Sequence, residues 1–431
     1  MNVMQKKLLI LGSNHLCCEI VYAAKEMGVS TIVTDWNSVE NAPAKLIADK
    51  HYEISLADID DILELISTEN IDGVITGFAD SYLKYYAEIC SRAGLPCYGT
   101  AEQFDILCNK DKFKAKCREF GVPTIEEYDT GRLLNDVTYL RSADFPLLLK
   151  PADNSGGRGV TICRSPEEFS ACYEKAKVYS PSATVLSEQF IEGREVTAFY
   201  LFDNGEIYLS GLANRLIGAQ QTGVIKLPVG YSFPSDLLPY YEKDIYPNVK
   251  NMYKAMGLQN GMLFMQCLIG KDNVCRVYDI GYRLTGSLEF ILSEKVVNVN
   301  AIKAMINFAL YGKMFPNGVN QTNLTANWPN YAFNITILSK PGKIQNETGR
   351  DKLSGIDGVV TFRNNHKPGE VIPEESLGTL NQVVMRVFCV CKEKNDIWRI
   401  VEEIKNVYDM TNENGESMLL PVFDTKEIYL R

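Results

Sequence analysis

The sequence predicts a mixed α/β and α+β protein in three parts. Residues 7–98 alternate short apolar runs with helical patterns, which is typical of a doubly wound, Rossmann-like parallel sheet. From about residue 109 the apolar runs are longer and are joined by short turns, which indicates antiparallel pairing. We place the domain boundaries at 1–105, 106–320 and 321–431, with a small α+β unit last.

The first part reads as strands and helices in strict alternation. The strands are "KLLILG", "STIVTDW", "HYEIS" and "DGVITG", and the helices run from Asn14 to Met27, from Asp58 to Glu69 and up to Arg92. The loop "GSNHLCC" after the first strand has no GxGxxG pattern. A dehydrogenase that binds a nicotinamide cofactor here is therefore a weak alternative.

The second part opens with a helix and a glycine-rich hairpin. The helix "NKDKFKAKCREF" ends at Gly121 and Pro123, and the strands "FPLLLK" and "VTIC" enclose the turn. Lys150 precedes the glycines, whereas the common phosphate loop places its lysine after them. The backbone N–H groups of Ser155, Gly156 and Gly157 can form an anion-binding nest for phosphate, although an ordinary glycine turn stays an alternative.

The remaining elements follow the same rules. A strand at 184–191 precedes a long hairpin folded about Asn204-Gly205. After a helix ending at Gly257, the strands "GMLFMQCLIG" and "VCRVYDIGYRL" are joined by the turn "KDN", and a helix spans about 296–311. The stretch "QTNLTANWPN" reads as a linker into the last α+β segment.

Composition excludes several classes of function. The 431 residues are 46% hydrophobic and 23% charged, with a formal charge of −10, so neither a nucleic acid nor a membrane is an expected partner. No signal peptide or membrane span is evident, and a cytoplasmic location is expected. The twelve cysteines lack metal or disulfide spacing, and the three histidines lie far apart in sequence.

Four motifs in this order resemble the ATP-grasp superfamily. They are Lys110 on a helix, Lys150 before the glycine hairpin, "EQFIEGRE", and "FMQ" with "VYDIGYR" on two facing strands. The resemblance covers about residues 1–312, and the last hundred residues look like the small closing domain of these enzymes. It implies a pre-ATP-grasp domain, a two-lobed ATP-grasp domain with a flap at about 150–160, and a C-terminal domain. Carbamoyl-phosphate synthetase large subunits, phosphoribosylglycinamide synthetases and amino-acid ligases are loosely similar.

The resemblance also implies roles for single residues. Lys110 and Lys150 match the cations that hold the α- and β-phosphates of ATP, and two separate charges grip a polyanion better than one. Arg283 matches the arginine that steadies the transferring phosphoryl group or the acyl phosphate. Ser155, Gly156 and Gly157 match the tip of the flap. Residues that match the adenine and ribose contacts are Glu188, Gln189, Ile191 and Glu195.

The predicted metal site departs from the family. The usual glutamate, glutamate and asparagine are replaced by Gln266, Asp279 and Gly281. Mg²⁺ prefers anionic oxygen, so we expect one ion held by Asp279 and Gln266 together with the phosphates rather than two. Mn²⁺ is the alternative ion.

The resemblance implies an ATP-dependent, ADP-forming ligase. A carboxylate substrate would form an acyl phosphate, and an amine or a thiol would displace phosphate. The motifs do not specify these two small molecules, and a homodimer is compatible with this interpretation. The altered metal site keeps a second hypothesis open, an ATP-binding sensor or scaffold with little or no ligase activity.

Overall fold

The computed structural model describes residues 5–152, 159–218 and 227–421. Its first unit is a parallel sheet in the order β3-β2-β1-β4, as the alternating pattern predicts. The strands are β1 (Lys7–Leu11), β2 (Ser30–Thr34), β3 (Lys50–Tyr52) and β4 (Gly73–Thr76). The helices are α1 (Cys17–Glu26), α2 (Pro43–Ile47), α3 (Ile59–Glu69) and α4 (Leu83–Ala93).

The carboxyl end of β2 does not present a free acid. Asp35 is 2% exposed and forms an ion pair of 3.0 Å with the buried Lys45. It also accepts hydrogen bonds from Ser13 and Asn37. In dinucleotide-binding folds an acidic residue at about this place binds a ribose hydroxyl. Because the Asp35 carboxylate is committed to partners inside the protein, the fold gives the dehydrogenase hypothesis no support.

The second unit is a four-stranded sheet in the order β5-β8-β6-β7, flanked by helices. Its elements are α5 (Ala101–Cys108), α6 (Lys110–Glu119), β5 (Glu127–Tyr128), α7 (Thr130–Asn135), α8 (Val137–Ser142), β6 (Leu147–Pro151), β7 (Thr161–Cys163), α9 (Phe169–Lys177) and β8 (Val185–Gln189). Strands β6 and β7 pair antiparallel, with Leu147 opposite Cys163. The structure thereby confirms the two predicted strands on either side of the glycine turn.

The largest sheet has eight strands in the order β13-β12-β9-β10-β11-β14-β19-β17. Its first part contains β9 (Gly193–Asp203), β10 (Glu206–Ile217), β11 (Pro228–Phe233), β12 (Gly261–Gly270) and β13 (Cys275–Gly281), with α10 (Leu238–Tyr240) and α11 (Tyr246–Ala255) between β11 and β12. Asn204 and Gly205 join β9 to β10 with φ values of 50° and 81°. Two positive φ values in a row are what a tight hairpin turn of this kind requires.

The region after residue 281 differs from the sequence prediction in two ways. Strand β13 ends at Gly281 rather than at Leu284. The helix expected at about 296–311 is two helices, α12 (Phe290–Val297) and α13 (Ala301–Tyr311). Asn298 ends α12 in the left-handed conformation, and the side chain of Asn300 caps α13, so local asparagine chemistry breaks the apolar pattern.

Helix α13 packs tightly against the first unit. A Cβ atom at Gly73 in β4 would lie 2.3 Å from the carbonyl oxygen of Ala309. Only glycine permits that approach of a helix to a strand. One apolar core runs through this contact and includes Leu9 of β1 and Phe199 of β9, so the parallel sheet and the large sheet share a core.

The last part of the chain completes the large sheet. Its elements are β14 (Tyr331–Leu338), β15 (Gly342–Lys343), β16 (Asn346–Thr348), α14 (Arg350–Leu353), β17 (Val359–Asn364), β18 (Val371–Ile372), β19 (Val383–Cys391), α15 (Asp396–Val407) and β20 (Asp409–Thr411). Strand β14 pairs with β11, so the sheet crosses residue 320, where we predicted a boundary. The domain boundaries themselves stay a prediction.

None of the helices among the described residues combines the length and apolar character that a membrane crossing demands.

Candidate nucleotide and metal site

A buried carboxylate between two lysines lies at the centre of the second unit. Glu188 on β8 is 2% exposed, and its Oε1 accepts hydrogen bonds from Lys150 at 2.5 Å and from Lys114 at 2.8 Å. Lys114, on α6, also pairs with Glu127. Because β6 and β8 are adjacent, with Lys150 opposite Leu186, the lysine and the glutamate extend from neighbouring strands. The structure thus joins two residues that the sequence assigned to phosphate and to adenine.

The charges of this cluster depend on each other. Burial raises the pKa of Glu188, but the charges of Lys150 and Lys114 outweigh burial, and the net effect is a pKa below the ordinary value. Burial also lowers the pKa of Lys150, and Glu188 opposes that shift. Lys114 and Lys150 share Glu188, and Glu127 supplies a second carboxylate, so these four side chains balance in formal charge. Lys110, whose charge acts on Lys150, adds the excess positive charge that a phosphate group can neutralise.

Lys110 lies at the first position of α6, directly after Asn109. The Asn109 side chain accepts the backbone N–H of Lys112 and thereby caps the helix. Lys110 and Lys114 line a cavity of about 90 Å³. Asp279 of the large sheet lines the same cavity. The predicted phosphate lysine and the predicted metal ligand therefore face one space between the two sheets.

The segment 188–191, which the resemblance assigns to adenine binding, is only partly free to bind a nucleotide. The backbone N–H of Gln189 donates to the carbonyl of Glu126 at 2.9 Å, so that donor is used within the protein. Ile191 follows β8 and packs against Gly270 at the end of β12. The flap residues Ser155, Gly156 and Gly157 lie outside the described residues. The roles assigned to these flap residues and to the adenine-binding segment 188–191 stay predictions.

Three oxygen-bearing side chains form a row across the large sheet. Asp279 on β13 lies directly opposite Gln266 on β12, and Gln266 lies directly opposite Thr197 on β9. Residues paired in this way share one face of a sheet, at Cβ separations of about 5 Å. Thr197 is 1% exposed, and its hydroxyl has no hydrogen-bond partner within the described chain. The predicted pairing of Gln266 with Asp279 is confirmed, and Thr197 is a third oxygen that the sequence did not reveal.

Asp279 forms no ion pair with any of the described residues. Burial raises its pKa above the ordinary value, Lys110 and Arg283 oppose the rise, and Asp80 adds to it. Carboxylate, amide and hydroxyl oxygens are ligands that Mg²⁺ prefers, so the row fits one such ion. A divalent cation here would stabilise the ionised form of Asp279.

Gly281 has a steric reason to be glycine. A Cβ atom at this position would lie 2.4 Å from a ring carbon of Phe264. The same ring lies 5.1 Å from the guanidinium of Arg283, a cation–π contact. The aromatic ring thus occupies the volume that a ligating side chain at 281 would need.

Arg283 and Glu195 are both held by partners within the protein. Arg283 forms two hydrogen bonds of 2.7 Å with Asp80, which comes from the first unit. Glu195 pairs with Arg215 and accepts a hydrogen bond of 2.8 Å from Tyr278. The roles predicted for Arg283 and Glu195 remain untested. A ligand that contacts either side chain would have to bind beside these partners or displace them.

Sequence reasoning missed Lys114 and Asp80. In "KDKFKAKCRE" four lysines alternate with other residues, and nothing in the pattern separates the buried Lys114 from the exposed Lys112. Its spacing of four from Lys110 is the one available signal, since such residues share a helix face. Asp80 begins a short 3-10 helix, Asp80–Tyr82, after β4, and no sequence pattern marks it as a functional residue.

Among the described residues that line this cleft, Cys108 is the one cysteine, and no histidine occurs. All twelve cysteines are free, and most are buried. Cys163, Glu168 and Cys172 do come within 4.8 Å of one another, a proximity that their spacing did not predict. The Cys163 thiol donates to the carbonyl of Ser165, and Glu168 accepts the backbone N–H of Arg164. The Cys172 thiol donates to the carbonyl of Ile162, so all three groups have partners and the cluster is satisfied without an ion.

Comparison with known proteins gives one family match and several partial relatives. Residues 109–206 match the carbamoyl-phosphate synthase L chain ATP-binding domain. Over 206 residues the chain is 29% identical to the formate-dependent phosphoribosylglycinamide formyltransferase of Wolinella succinogenes, which covers 46% of this chain and 51% of that protein. Over 309 residues it is 24% identical to the 2-oxoglutarate carboxylase small subunit of Hydrogenobacter thermophilus, covering 68% and 59%. The chain therefore spans little more than half the length of these relatives.

Solved structures share the fold over nearly the whole chain. Phosphoribosylglycinamide synthetase from Anaerococcus prevotii has a TM-score of 0.74 at 19% identity, covering 95% of this chain and 100% of that one. L-amino acid ligase from Bacillus licheniformis has a TM-score of 0.75 at 17% identity, covering 95% and 99%. The biotin carboxylase domain dimer of the Hydrogenobacter thermophilus 2-oxoglutarate carboxylase, solved with MgADP and bicarbonate, has a TM-score of 0.75 at 19% identity, covering 96% and 91%. These identities establish a common fold and no more.

Proposed function

We propose that the chain is an ATP-grasp enzyme, an ADP-forming ligase that joins a carboxylate to an amine or a thiol, because residues 109–206 match the carbamoyl-phosphate synthase L chain ATP-binding domain. The relatives named above support the proposed class of reaction. The geometry of the site supports the choice of residues. ATP and Mg²⁺ are the proposed cosubstrate and metal.

One observation carries the proposal. Lys110 and Lys114 of the second unit line the same cleft as Asp279 of the large sheet. A triphosphate needs cations along its chain and a metal ion that bridges its oxygens. The cleft brings two lysines and a carboxylate together, and the proposed chemistry requires neither histidine nor cysteine.

The reaction divides into two displacements. An oxygen of the carboxylate substrate attacks the γ-phosphorus, the bond to the bridging oxygen breaks, and ADP leaves. The amine nitrogen then attacks the acyl carbon, inorganic phosphate leaves, and the amine loses a proton. Lys110 and Lys150 would hold the phosphates, and Arg283 would stabilise charge on the transferring group. These steps depend on positioning and charge rather than on a nucleophile of the protein.

The metal would be held by Asp279 and Gln266, with Thr197 beside them. When bound, Mg²⁺ neutralises phosphate charge in the transition state. Because Gln266 is neutral, Asp279 supplies the only formal negative charge of this row. We therefore propose weaker metal binding than a pair of carboxylates would give.

Hydroxylamine tests the proposed intermediate. With ATP and a competent carboxylate, added hydroxylamine is expected to form a hydroxamate, because an acyl phosphate reacts with any good amine. The ferric complex of the product can be measured by absorbance, and ADP by coupled assay. Reactions without ATP are the control. Release of AMP and pyrophosphate would indicate adenylation and would contradict the acyl-phosphate route.

Magnesium titration tests the ligand row. Gln266→Glu adds an anionic oxygen, so the Mg²⁺ concentration for half-maximal activity or nucleotide binding is expected to fall by roughly threefold to tenfold. Asp279→Asn is expected to raise it. Gln259→Glu, on an exposed loop, is the matched control. If Gln266 is only a strand residue, the new carboxylate will be an unpaired buried charge, the melting temperature will drop, and the Mg²⁺ dependence will not move.

A second candidate function is an ATP-binding sensor without turnover. The observation that favours it is the Phe264 ring, which excludes a ligating side chain at Gly281. A sensor binds ATP in calorimetry but releases no phosphate with any mixture of carboxylates and amines. A screen of phosphate release over such mixtures therefore separates the two functions.

A further inference from the structure

A sharp turn after α4 brings two cysteines of the first unit together. Gly94 follows the helix in the left-handed conformation with a φ of 67°, and the backbone N–H of Leu95 donates to the carbonyl of Cys90 at 3.0 Å. These contacts fold the chain back over the last turn of the helix. Cys97 comes two residues after Leu95, and a hydrogen bond joins its sulfur to the thiol of Cys90.

The two cysteines differ in their access to solvent. Cys90 is 0% exposed, whereas Cys97 is half-buried. Tyr86 lies four residues before Cys90 on α4, so the two side chains share one face of the helix. The Tyr86 hydroxyl also bonds to Cys97. Solvent therefore reaches Cys97 on one side, and two buried hydrogen-bond donors contact it on the other.

These donors favour the thiolate form of Cys97. The bond from the Cys90 thiol lowers the pKa of Cys97, burial opposes that shift, and bonds from the backbone of Gly99 and from Tyr86 add to it. The net effect is a pKa below the ordinary value. In its protonated form the Cys97 thiol donates to the carbonyl of Gly99 at 3.0 Å. The bond to Cys97 and burial raise the pKa of Cys90, so Cys90 keeps its proton.

Burial dominates at other cysteines. It raises the pKa of Cys108 and of Cys117 to about 12. Cys163 lies close to Cys172, but burial raises the pKa of Cys163 to about 12 as well, and Cys172 adds to the rise. A thiol with a raised pKa stays protonated near neutral pH and reacts slowly, because the thiolate is the nucleophile. Proximity of two thiols alone therefore does not make an oxidation site, whereas Cys97 combines proximity, access and thiolate character.

We propose that Cys97 and Cys90 form an oxidation site, at which hydrogen peroxide converts the two thiols into a reversible disulfide. The Cys97 thiolate attacks one peroxide oxygen, the O–O bond breaks, and the hydroxide that leaves takes up a proton to become water. The Cys90 sulfur then attacks the sulfur of the Cys97 sulfenic acid, the S–O bond breaks, and a second water leaves with the proton of Cys90. Two thiols thus lose two electrons, and one peroxide is reduced to two waters. This chemistry is separate from the proposed ligase reaction.

Peroxide treatment of the full chain, followed by mass spectrometry, tests the proposal. Peptides joined through Cys90 and Cys97 are expected, and dithiothreitol is expected to separate them. Cys97→Ser is expected to slow thiol loss by at least about tenfold, because the reactive thiolate is gone. Cys90→Ser is expected to leave a sulfenic acid on Cys97 that dimedone traps, since the second thiol is missing. The matched control is Cys108→Ser, which removes an exposed thiol and is expected to leave the rate unchanged.

Three results would overturn the oxidation site. They are equal rates of thiol loss in wild type and Cys97→Ser, a Cys90→Ser protein without a dimedone adduct on Cys97, and a wild-type disulfide that joins Cys163 to Cys172 instead. If a serine variant does not fold, the disulfide mapped in the wild type decides alone. Since the measurements use neither ATP nor a ligase substrate, their failure leaves the ligase proposal standing, and failure of the ligase assays leaves the oxidation site standing.

Discussion

Lys150→Ala is expected to weaken ATP binding by roughly tenfold to a hundredfold while the protein stays folded. A charge-assisted hydrogen bond contributes about 1.5–3 kcal/mol, and the variant loses one to phosphate. The fold survives because Glu188 keeps Lys114 as a partner at 2.8 Å. Calorimetry with a non-hydrolysable ATP analogue measures the affinity, and circular dichroism checks the fold.

Lys112→Ala is the matched control for this prediction. Lys112 lies on α6 near the same cleft, but its side chain is 51% exposed and pairs with Asp105. Its loss is expected to change ATP affinity less than twofold. Unchanged affinity in a folded Lys150→Ala protein would show that the hairpin is not the phosphate site.

Glu188→Ala is expected to destabilise the protein by roughly 3–5 kcal/mol. Removing one member of a buried ion pair leaves an uncompensated charge, and here two lysines, Lys150 and Lys114, lose their shared carboxylate. The free energy of unfolding from urea denaturation measures the effect. Glu192→Ala is the control, because that side chain is 70% exposed and its change is expected to stay within about 0.5 kcal/mol.

The pH dependence of Glu188 gives a second readout. Its pKa is lowered in the folded protein, so its contribution to stability is present above the unfolded value and is lost as pH falls through the folded value. The stability difference between wild type and Glu188→Gln is therefore expected to be largest near neutral pH and to shrink in acid. A difference that stays constant from neutral to acid pH would show that the ionised carboxylate does not stabilise the cluster.

The two predictions differ in what they probe. If Lys150 holds phosphate as proposed, Lys150→Ala removes a charge from the ligand site, and binding changes more than stability. Glu188→Ala removes the acid that lets two lysines be buried, so stability changes first and binding follows. If both variants lost stability equally, Lys150 would be a structural lysine only.

Local patterns determined much of this protein from the sequence alone. Three features depend on residues close together in the chain. They are the parallel first unit, the two strands that flank the glycine turn, and the hairpin turn at Asn204. The pairing of Gln266 with Asp279 also depends on nearby residues, since the short turn between β12 and β13 brings them opposite each other. Apolar periodicity and turn chemistry are local properties, and they specify such elements directly.

Tertiary structure decided which charges meet. Asp80 and Arg283 are 203 residues apart, and Glu19 and Arg363 are 344 residues apart. The burial of Lys114 also depends on how distant segments pack. A charged side chain has no periodic pattern of its own, and its partner and its burial depend on the assembled fold. The sequence therefore predicted the strands that carry the site, and only the packed structure showed which side chains neutralise one another across it.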